Sequence, residues 1–379
     1  MHIVLPDFAL VLLFGCGSGD ADPGFGAALL ADPNPEAVAA RLSARALTAV
    51  DATLLSKDDL RRLTRAARDA YARVYAVALG SDQGEMARRL GTFAIEATFA
   101  VPPGETASFE FRPVSTDRRT QRGPFDIIGD VHGCADELID LLGALGYRVA
   151  LTGQGEARRA DVVAPPGRRA FFVGDLVDRG PNSPDVLRLV MAMVEAGHAL
   201  CVAGNHDVSC QRWLEGRHTS LSHGLDLTAE QLSRESAGFR DRVRTFFAGL
   251  KGHLWVDGGA LAVAHAGVRE AMIGRSSGIV RAFSLYGDSE PKPAADGLPT
   301  RYHWALDYHG ATAVVYGHTP VAEVGWVNNT ACIDTGCCFG GRLTALRWPE
   351  REIVSVPARH TYAVRGRAFG HPPARPKRD

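Results

Sequence analysis

The sequence predicts an α/β protein in two parts: a small α/β unit near the N-terminus and a larger region with a pair of mixed sheets flanked by helices. Two observations lead to this prediction. Short apolar runs typical of buried strands alternate with helical segments in both parts, which favours parallel strands. A stretch rich in Pro, Thr and Arg at residues 101–124 separates the parts and is predicted to be a linker.

Composition restricts the class of protein. The 379 residues are 46% hydrophobic and 22% charged, with a formal net charge of −1, which is typical of a soluble globular chain. A near-neutral chain does not fit a broad nucleic-acid clamp, which would be visibly basic. The seven cysteines form no C-x-x-C pair and are odd in number. They indicate a reducing compartment, so we expect a cytoplasmic location.

The N-terminal unit is predicted to contain alternating strands and helices. Strands are predicted at residues 8–14, 47–53 and 74–79, and helices at 34–46 and 56–74. Ser56 is the expected N-cap of the second helix. The apolar run before Cys16 has the length of a lipoprotein signal, but no Lys or Arg precedes it, so a buried strand is the preferred interpretation. No other stretch has the roughly 18 apolar residues of a membrane span.

The larger region begins with the strand FDIIGD at Phe125. The helix ADELIDLLGALG, the strand RAFFVGD, the helix PDVLRLVMAMVEAG and the strand ALCVAGN follow in that order. A hairpin is predicted where Gly258 and Gly259 separate two apolar runs. Three further strands complete the pair of sheets. The last residues, 368–379, are predicted to be a solvated tail.

Polar side chains follow these strands where each one ends. Ligand sites of open α/β sheets form at such strand ends, so we expect the side chains to converge. Carboxylate, amide and imidazole donors together suit manganese, iron, nickel or zinc better than calcium or magnesium. A single motif of this kind would suit a turn or a structural histidine, but five in one region favour a metal centre. The candidate metal ligands are Asp130, His132, Asp175, Asn205, His265 and His318.

The motifs GDVHG, GDLVDRG, GNHD, HAG and GHT resemble the calcineurin-like metallophosphoesterase superfamily over about residues 125–345, and the corresponding domain is predicted at 125–367. The resemblance implies a four-layer β-sandwich flanked by helices and two divalent metal ions, with manganese expected and nickel, iron or zinc as alternatives. It implies one metal at Asp130, His132 and Asp175. The second metal would share Asp175 and bind Asn205, His265 and His318.

Three further residues are candidates for catalytic roles. Arg179 could bind two phosphate oxygens with its planar fork, although a solvated turn residue is the simpler alternative. His206 is the candidate proton donor to the leaving oxygen. Asp207 is expected to hold His206, with helix capping as the equal alternative.

Longer stretches such as RRTQRGPFDIIGDVHGC and VVYGHTPV resemble the phosphatase module of bacterial polynucleotide kinase-phosphatase. That resemblance implies hydrolysis of nucleotide or RNA-end phosphates, either 2′,3′-cyclic or terminal, and RNA-repair partners. It also implies an N-terminal kinase. A working phosphate-binding loop needs G-x-x-x-x-G-K-[ST], yet Asp20 or Ala21 stands where Lys is required. Residues 1–100 are therefore interpreted as a degenerate kinase-like unit that uses no ATP.

Two alternatives remain open at this point. The same chemistry could act on diadenosine polyphosphates or on phosphoserine and phosphothreonine in proteins. A protein of another class, a non-catalytic scaffold, would explain the degenerate phosphate-binding loop but not a complete set of metal ligands.

Overall fold

A computed structural model describes residues 1–15, 24–80, 83–91, 93–217, 220–293 and 299–376. The chain divides into two compact units. The first unit contains Met1–Asp117 and Gly274–Val280, and the second contains Arg118–Ile273 and the chain from Arg281 onward. Among the described residues, no helix combines the length and the apolar character that crossing a membrane requires.

The first unit is built around a five-stranded sheet with the order β3-β4-β2-β5-β6, in which all pairs are parallel. Strand β2 lies at its centre and is fully buried, as its apolar sequence predicts. Ser56 caps α2 by accepting a hydrogen bond from the backbone N–H of Asp59, which confirms the expected N-cap. The elements are β1 (His2–Pro6), β2 (Leu10–Phe14), β3 (Leu29–Leu30), α1 (Pro35–Ser43), β4 (Thr48–Asp51), α2 (Lys57–Asp69), β5 (Val74–Leu79), α3 (Gln83–Leu90), β6 (Ala97–Val101) and β7 (Ser108–Arg112).

The predicted linker at 101–124 is wrong over its first half. Strand β7 lies inside that range and pairs in parallel with β1 at the other end of the unit. Its two phenylalanines, Phe109 and Phe111, pack against the ring of Phe25. A pairing between segments so far apart in sequence leaves little local signal, since only two apolar residues alternate in β7. The predicted phosphate-binding loop, with Asp20 and Ala21, lies outside the described residues.

The second unit contains two five-stranded mixed sheets. Their orders are β12-β11-β8-β20-β21 and β13-β14-β17-β19-β18. Its strands are β8 (Phe125–Ile128), β9 (Arg148–Thr152), β10 (Arg159–Val163), β11 (Arg169–Phe172), β12 (Ala199–Cys201), β13 (His253–Val256), β14 (Leu261–Ala264), β15 (Asp288–Pro293), β16 (Pro299–Tyr302), β17 (Ala313–Tyr316), β18 (Trp326–Val327), β19 (Thr330–Cys332), β20 (Arg342–Trp348) and β21 (Glu352–Pro357). Its helices are α4 (Ala135–Ala144), α5 (Ser183–Glu195), α6 (Asn205–Leu214), α7 (Leu225–Ser233), α8 (Ala237–Gly249) and α9 (Gly278–Tyr286), the last of which begins within Gly274–Val280.

The two sheets of the second unit pack face to face. Phe125 and Phe171 of the first sheet share one buried apolar cluster with Val263 and Val315 of the second. Helices α4 and α5 bury their apolar faces in a separate cluster with the first sheet. The predicted pair of mixed sheets flanked by helices is therefore confirmed, and so is the hairpin of β13 and β14. In both sheets three neighbouring strands run parallel, which brings their carboxyl ends to common edges.

The predicted solvated tail is mostly exposed over its described residues, but it also makes specific contacts with the second unit. The backbone N–H of Gly370 donates to the carbonyl of Pro320 at 2.9 Å. The ring of His371 stacks on that of His303, with ring centres 4.1 Å apart. We call residues 365–376 the C-terminal strap. The proline- and arginine-rich composition resembles that of a solvated tail, because the contacts with Pro320 and His303 are made with residues distant in sequence.

Candidate active site

All six predicted metal ligands lie at the carboxyl ends of parallel strands in the second unit. Asp175 is central, because its Oδ2 lies 3.5 Å from Nε2 of His132 and 3.4 Å from Nε2 of His265. His265 Nε2 in turn lies 2.9 Å from both Oδ1 of Asn205 and Nδ1 of His318. One donor atom each from His132, Asp175 and His206 lie within 4.8 Å of one another, and the same holds for Asp175, His265 and His318.

Asp130 completes this group from the end of β8. Its Oδ2 accepts the backbone N–H of His318 at 3.0 Å, while its Oδ1 is buried without a hydrogen-bond partner among the described residues. Gly317 leaves room for this carboxylate, since a Cβ at that position would lie 1.9 Å from Oδ1. The strand end is thus shaped to keep one carboxylate oxygen of Asp130 available.

Three of the candidate ligands have left-handed backbone conformations. His132, Asp175 and His318 have φ angles of +46°, +50° and +72°. Non-glycine residues adopt such angles at a cost of about 1–3 kcal/mol each, and such residues often cluster at functional sites. The surrounding fold therefore holds these side chains in place at the expense of local backbone strain.

The histidines present lone pairs to the centre of the group. Nδ1–H of His132 donates to the carbonyl of Val177 at 2.9 Å, and Nδ1–H of His265 donates to the carbonyl of Val173 at 3.2 Å. These bonds place the ring hydrogen on Nδ1, so Nε2 of each ring carries the lone pair that a metal ligand needs. Burial lowers the pKa of His265 to about 4 and the pKa of His132 well below its ordinary value, which keeps both rings neutral.

The carboxylates are crowded in the same volume. Burial raises the pKa of Asp130 well above its usual range, and the negative charges of Asp334 and Asp175 raise it further. Neutral imidazoles, an amide oxygen and crowded carboxylates form a donor set that fits divalent cations with mixed nitrogen and oxygen ligation. The buried, unpartnered Oδ1 of Asp130 and Nε2 of His318 agree with that fit. Because Asp175 belongs to both triads, two ions sharing this carboxylate suit the arrangement.

Arg179 brings a cation into the middle of the site. Its Nη1 donates to Nε2 of His132, and its Nη2 donates to Nε2 of His206 at 2.8 Å. Its guanidinium also lies 5.1 Å from the centre of the Phe339 ring. Contacts on the ring and on both histidines hold the planar fork beside the candidate ligands.

His206 is held by Asp178, and the predicted pairing with Asp207 is wrong. Nδ1–H of His206 donates to Oδ2 of Asp178 at 2.6 Å. Residues adjacent on a helix point in directions about 100° apart, so the side chain of Asp207 on α6 cannot meet that of its neighbour. Asp207 instead accepts backbone N–H bonds from Gly204, Asp175 and Leu176 at 2.8, 3.0 and 2.9 Å. It ties the GNHD turn to the GDLVDRG loop.

The family profile described as calcineurin-like phosphoesterase matches residues 123–322, which is more than half of the chain. The chain belongs to the calcineurin-like phosphoesterase family. It is accordingly a metal-dependent hydrolase of phosphate esters, and members of this family use a binuclear divalent metal site.

Curated relatives of this phosphoesterase carry a more specific name. The bis(5′-nucleosyl)-tetraphosphatase PrpE (asymmetrical) of Anoxybacillus flavithermus is 44% identical over 245 residues, which is 63% of this chain and 96% of that protein. The protein of the same name from Halalkalibacterium halodurans is 45% identical over 240 residues, covering 62% of this chain and 94% of its own. A solved structure assigned as a diadenosine tetraphosphatase is 25% identical, with a TM-score of 0.44 and coverage of 64% of this chain and 97% of that chain.

These comparisons correct the narrower expectation from the sequence. The two relatives named above are tetraphosphatases, and they lend no support to the resemblance to an RNA-repair phosphatase. The broader assignment to the superfamily stands.

Two acidic residues of the site had no assigned role in the sequence-based prediction. Asp178 is the second acid of the GDLVDRG motif, and its carboxylate faces His206. Asp334 follows β19, and its Oδ1 accepts the backbone N–H of Gly336 at 3.0 Å. Burial raises the pKa of Asp334 to about 6. Asp334 carries the same signal as the predicted ligands, a polar residue after an apolar strand, and that signal was available in the IDTG stretch.

Proposed function

We propose that this phosphoesterase hydrolyses nucleotide polyphosphates, and specifically cleaves bis(5′-nucleosyl) tetraphosphates asymmetrically into a nucleoside triphosphate and a nucleoside monophosphate. The observation that carries the proposal is the 44% identity to a tetraphosphatase of that specificity, which this chain matches over 96% of that protein's length. The complete set of candidate ligands supports catalysis over a scaffold role. The six described cysteines are free thiols, which supports a cytosolic location where such nucleotides occur.

We assign two metal ions to the candidate ligands. One would be held by Asp130, His132 and Asp175. The other would share Asp175, and the donors proposed to complete it are Asn205, His265 and His318. Manganese suits the mixed oxygen and nitrogen donors, with nickel, iron or zinc as alternatives. A pair of such ions, when bound, lowers the pKa of a shared water and neutralises charge on the phosphoryl group.

The protein's own side chains are proposed to do the remaining work. Arg179 would bind two oxygens of the attacked phosphate through its planar fork, which Lys could not do. His206, held by Asp178 at Nδ1, would carry a proton on Nε2 and give it to the leaving oxygen once Arg179 has turned from that nitrogen to the phosphate. Asp207 would act as a positioning residue, since its carboxylate fixes the backbone on both sides of the bridging Asp175.

A substrate panel tests this function. The full-length chain with Mn²⁺ is offered diadenosine tetraphosphate, an RNA with a 2′,3′-cyclic phosphate end and a phosphoserine peptide, and the products are separated by ion-exchange chromatography. We expect ATP and AMP from the tetraphosphate, with a kcat/KM at least 100-fold above that for the other two substrates. Two molecules of ADP, or faster turnover of the RNA end, would contradict the proposal.

Two variants establish that the candidate site performs the reaction. Asp130→Ala and His265→Ala are expected to reduce turnover at least 1,000-fold, because each removes a proposed metal ligand. Asp241→Ala serves as the matched control, since Asp241 is an exposed residue of α8 that pairs only with Arg244 among the described contacts. Control activity should stay within twofold of the unmodified chain.

A further inference from the structure

The C-terminal strap is fixed beside the candidate metal centre. Nη1 of Arg365 donates to the carbonyls of Pro320 at 3.3 Å and Ala368 at 3.0 Å, and the N–H of Gly370 donates to the same Pro320 carbonyl. Pro320 lies two residues after His318, a proposed metal ligand. The strap therefore begins at the edge of the site rather than on a remote surface.

Aromatic packing joins the strap to the phosphate-binding side of the site. Phe369 of the strap packs edge-on against Phe339, with ring centres 6.5 Å apart, and Arg179 lies over the same Phe339 ring. Gly336 makes this approach feasible, because a Cβ there would lie 2.5 Å from the ring of Phe369. The ring of Phe339 is thus shared by the strap and by the arginine proposed to bind phosphate.

The strap also forms part of a pocket that contains a proposed ligand. This small pocket, with a volume of about 20 Å³, is lined by His318 and Arg301 and by His371 and Pro372 of the strap. The strap is held there by the stacked His371 and His303 rings and by Arg375, which pairs with the carboxylate of Asp288. The space next to the metal centre consequently has a wall supplied by the C-terminus.

Arg179, Arg301, Arg365 and Arg367 lie close enough to one another for their positive charges to interact. Burial lowers the pKa of Arg301, and the positive charge of Arg367 lowers it further. Burial likewise lowers the pKa of Arg365, with Arg179 and Arg367 adding to the effect against the opposing charge of Asp334. Four guanidinium groups that repel one another beside a metal centre create a field that favours a polyanion over a single phosphate.

We propose that Arg365 and Arg367 of the C-terminal strap form a second phosphate-binding subsite, which holds the phosphates of a polyphosphate chain that are not being attacked. The inference rests on the proposed nucleotide polyphosphate substrate and names the residues that select it. Arg365 is half-buried and fixed by backbone carbonyls, whereas Arg367 is exposed at the rim and donates to the carbonyl of Pro299. The pair would extend the cationic surface from Arg179 and Arg301 outward along the strap.

Competition by inorganic phosphates tests the subsite without depending on the physiological substrate. The full-length chain hydrolyses p-nitrophenyl phosphate with Mn²⁺ at fixed free metal, and inhibition constants are measured for orthophosphate and for tripolyphosphate. The readout is the inhibition constant for orthophosphate divided by the inhibition constant for tripolyphosphate. In Arg365→Ala and Arg367→Ala we expect this ratio to fall at least tenfold, because only tripolyphosphate reaches beyond the attacked position. Arg365→Lys should restore part of the preference by restoring charge.

Arg244→Ala on α8 is the matched control and should retain the ratio of the unmodified chain, since Arg244 pairs with Asp241 outside the site. Circular dichroism establishes that each variant is folded, and if Arg365→Ala is not, Arg367→Ala decides the question. A ratio within twofold of the unmodified chain in the folded variants would overturn the subsite. Failure of the chain to cleave diadenosine tetraphosphate, with the ratio still dependent on the strap, would instead overturn only the proposed substrate.

Discussion

The contact between Asp178 and His206 gives the sharpest prediction about catalysis. Asp178 is 1% exposed, and its carboxylate accepts Nδ1–H of His206 at 2.6 Å. The substitution Asp178→Asn retains the shape of the side chain, and Asn tolerates the left-handed backbone, φ +74°, at this position. The change therefore removes the charge that supports His206 while disturbing the loop very little.

The size of the effect follows from the type of hydrogen bond. A hydrogen bond to a charged group contributes about 1.5–3 kcal/mol, and one between neutral groups contributes about 0.5–1.5 kcal/mol. The loss of about 1–2 kcal/mol in the transition state corresponds to a decrease in kcat of about 5- to 30-fold. If His206 protonates the leaving oxygen, the decrease in kcat should be larger for a more basic leaving group, because that group depends more on protonation as it departs.

The assay compares two leaving groups. Initial rates with Mn²⁺ are measured for p-nitrophenyl phosphate and phenyl phosphate, whose leaving groups differ in basicity. Asp178→Asn should reduce kcat for phenyl phosphate at least threefold more than for p-nitrophenyl phosphate. Asp241→Asn makes the same chemical change on an exposed surface and should have no effect on either rate. Equal decreases for the two substrates, or none, would refute the proton-donor role of His206.

Two further predictions concern metal binding and pH. Gly317→Ala places a methyl group 1.9 Å from the Oδ1 position of Asp130 and should weaken Mn²⁺ binding, measured by calorimetry, at least tenfold. The control Gly325→Ala, whose Cβ has no atom within 4 Å, should bind Mn²⁺ as the unmodified chain does. Equal Mn²⁺ affinities of the two variants would show that the Asp130 carboxylate is not a ligand. Burial lowers the pKa of His303 to about 4, from an ordinary value of about 6.5, so the folded state favours the neutral ring. The resulting contribution to stability is fully present above pH 6.5 and is lost as the pH falls toward 4. Between pH 7 and 5 the unmodified chain should therefore lose about 2 kcal/mol that His303→Gln does not lose. Thermal unfolding checks this, and parallel pH profiles for the two proteins would contradict it.

Much of the candidate site could be predicted from the sequence because its signal is local. Each proposed ligand directly follows an apolar strand, and parallel strands bring such ends to one edge of a sheet. Asp130 and Asp175 illustrate this, since each is followed or preceded by a glycine and lies at the end of a buried strand. Asp334 shows the same pattern, since it follows the buried strand β19.

The remaining features depend on contacts that the sequence does not encode locally. The choice of Asp178 over Asp207 as the partner of His206 is decided by the direction in which side chains leave α6. Strand β7 forms by pairing with β1 across about one hundred residues, and its own composition is weakly apolar. The strap of residues 365–376 contains prolines and arginines that resemble a free tail, and only the positions of Phe339 and His303 show why it is ordered.

The central claim is that Asp175 joins two metal ions held by side chains from both sheets. Anomalous scattering from crystals of the full-length chain grown with Mn²⁺ tests it most directly. We expect two manganese peaks per chain on either side of Asp175, one within bonding distance of Asp130 and His132 and the other within bonding distance of His265 and His318. A single peak, or peaks away from these side chains, would contradict the binuclear centre and the hydrolytic mechanism built on it.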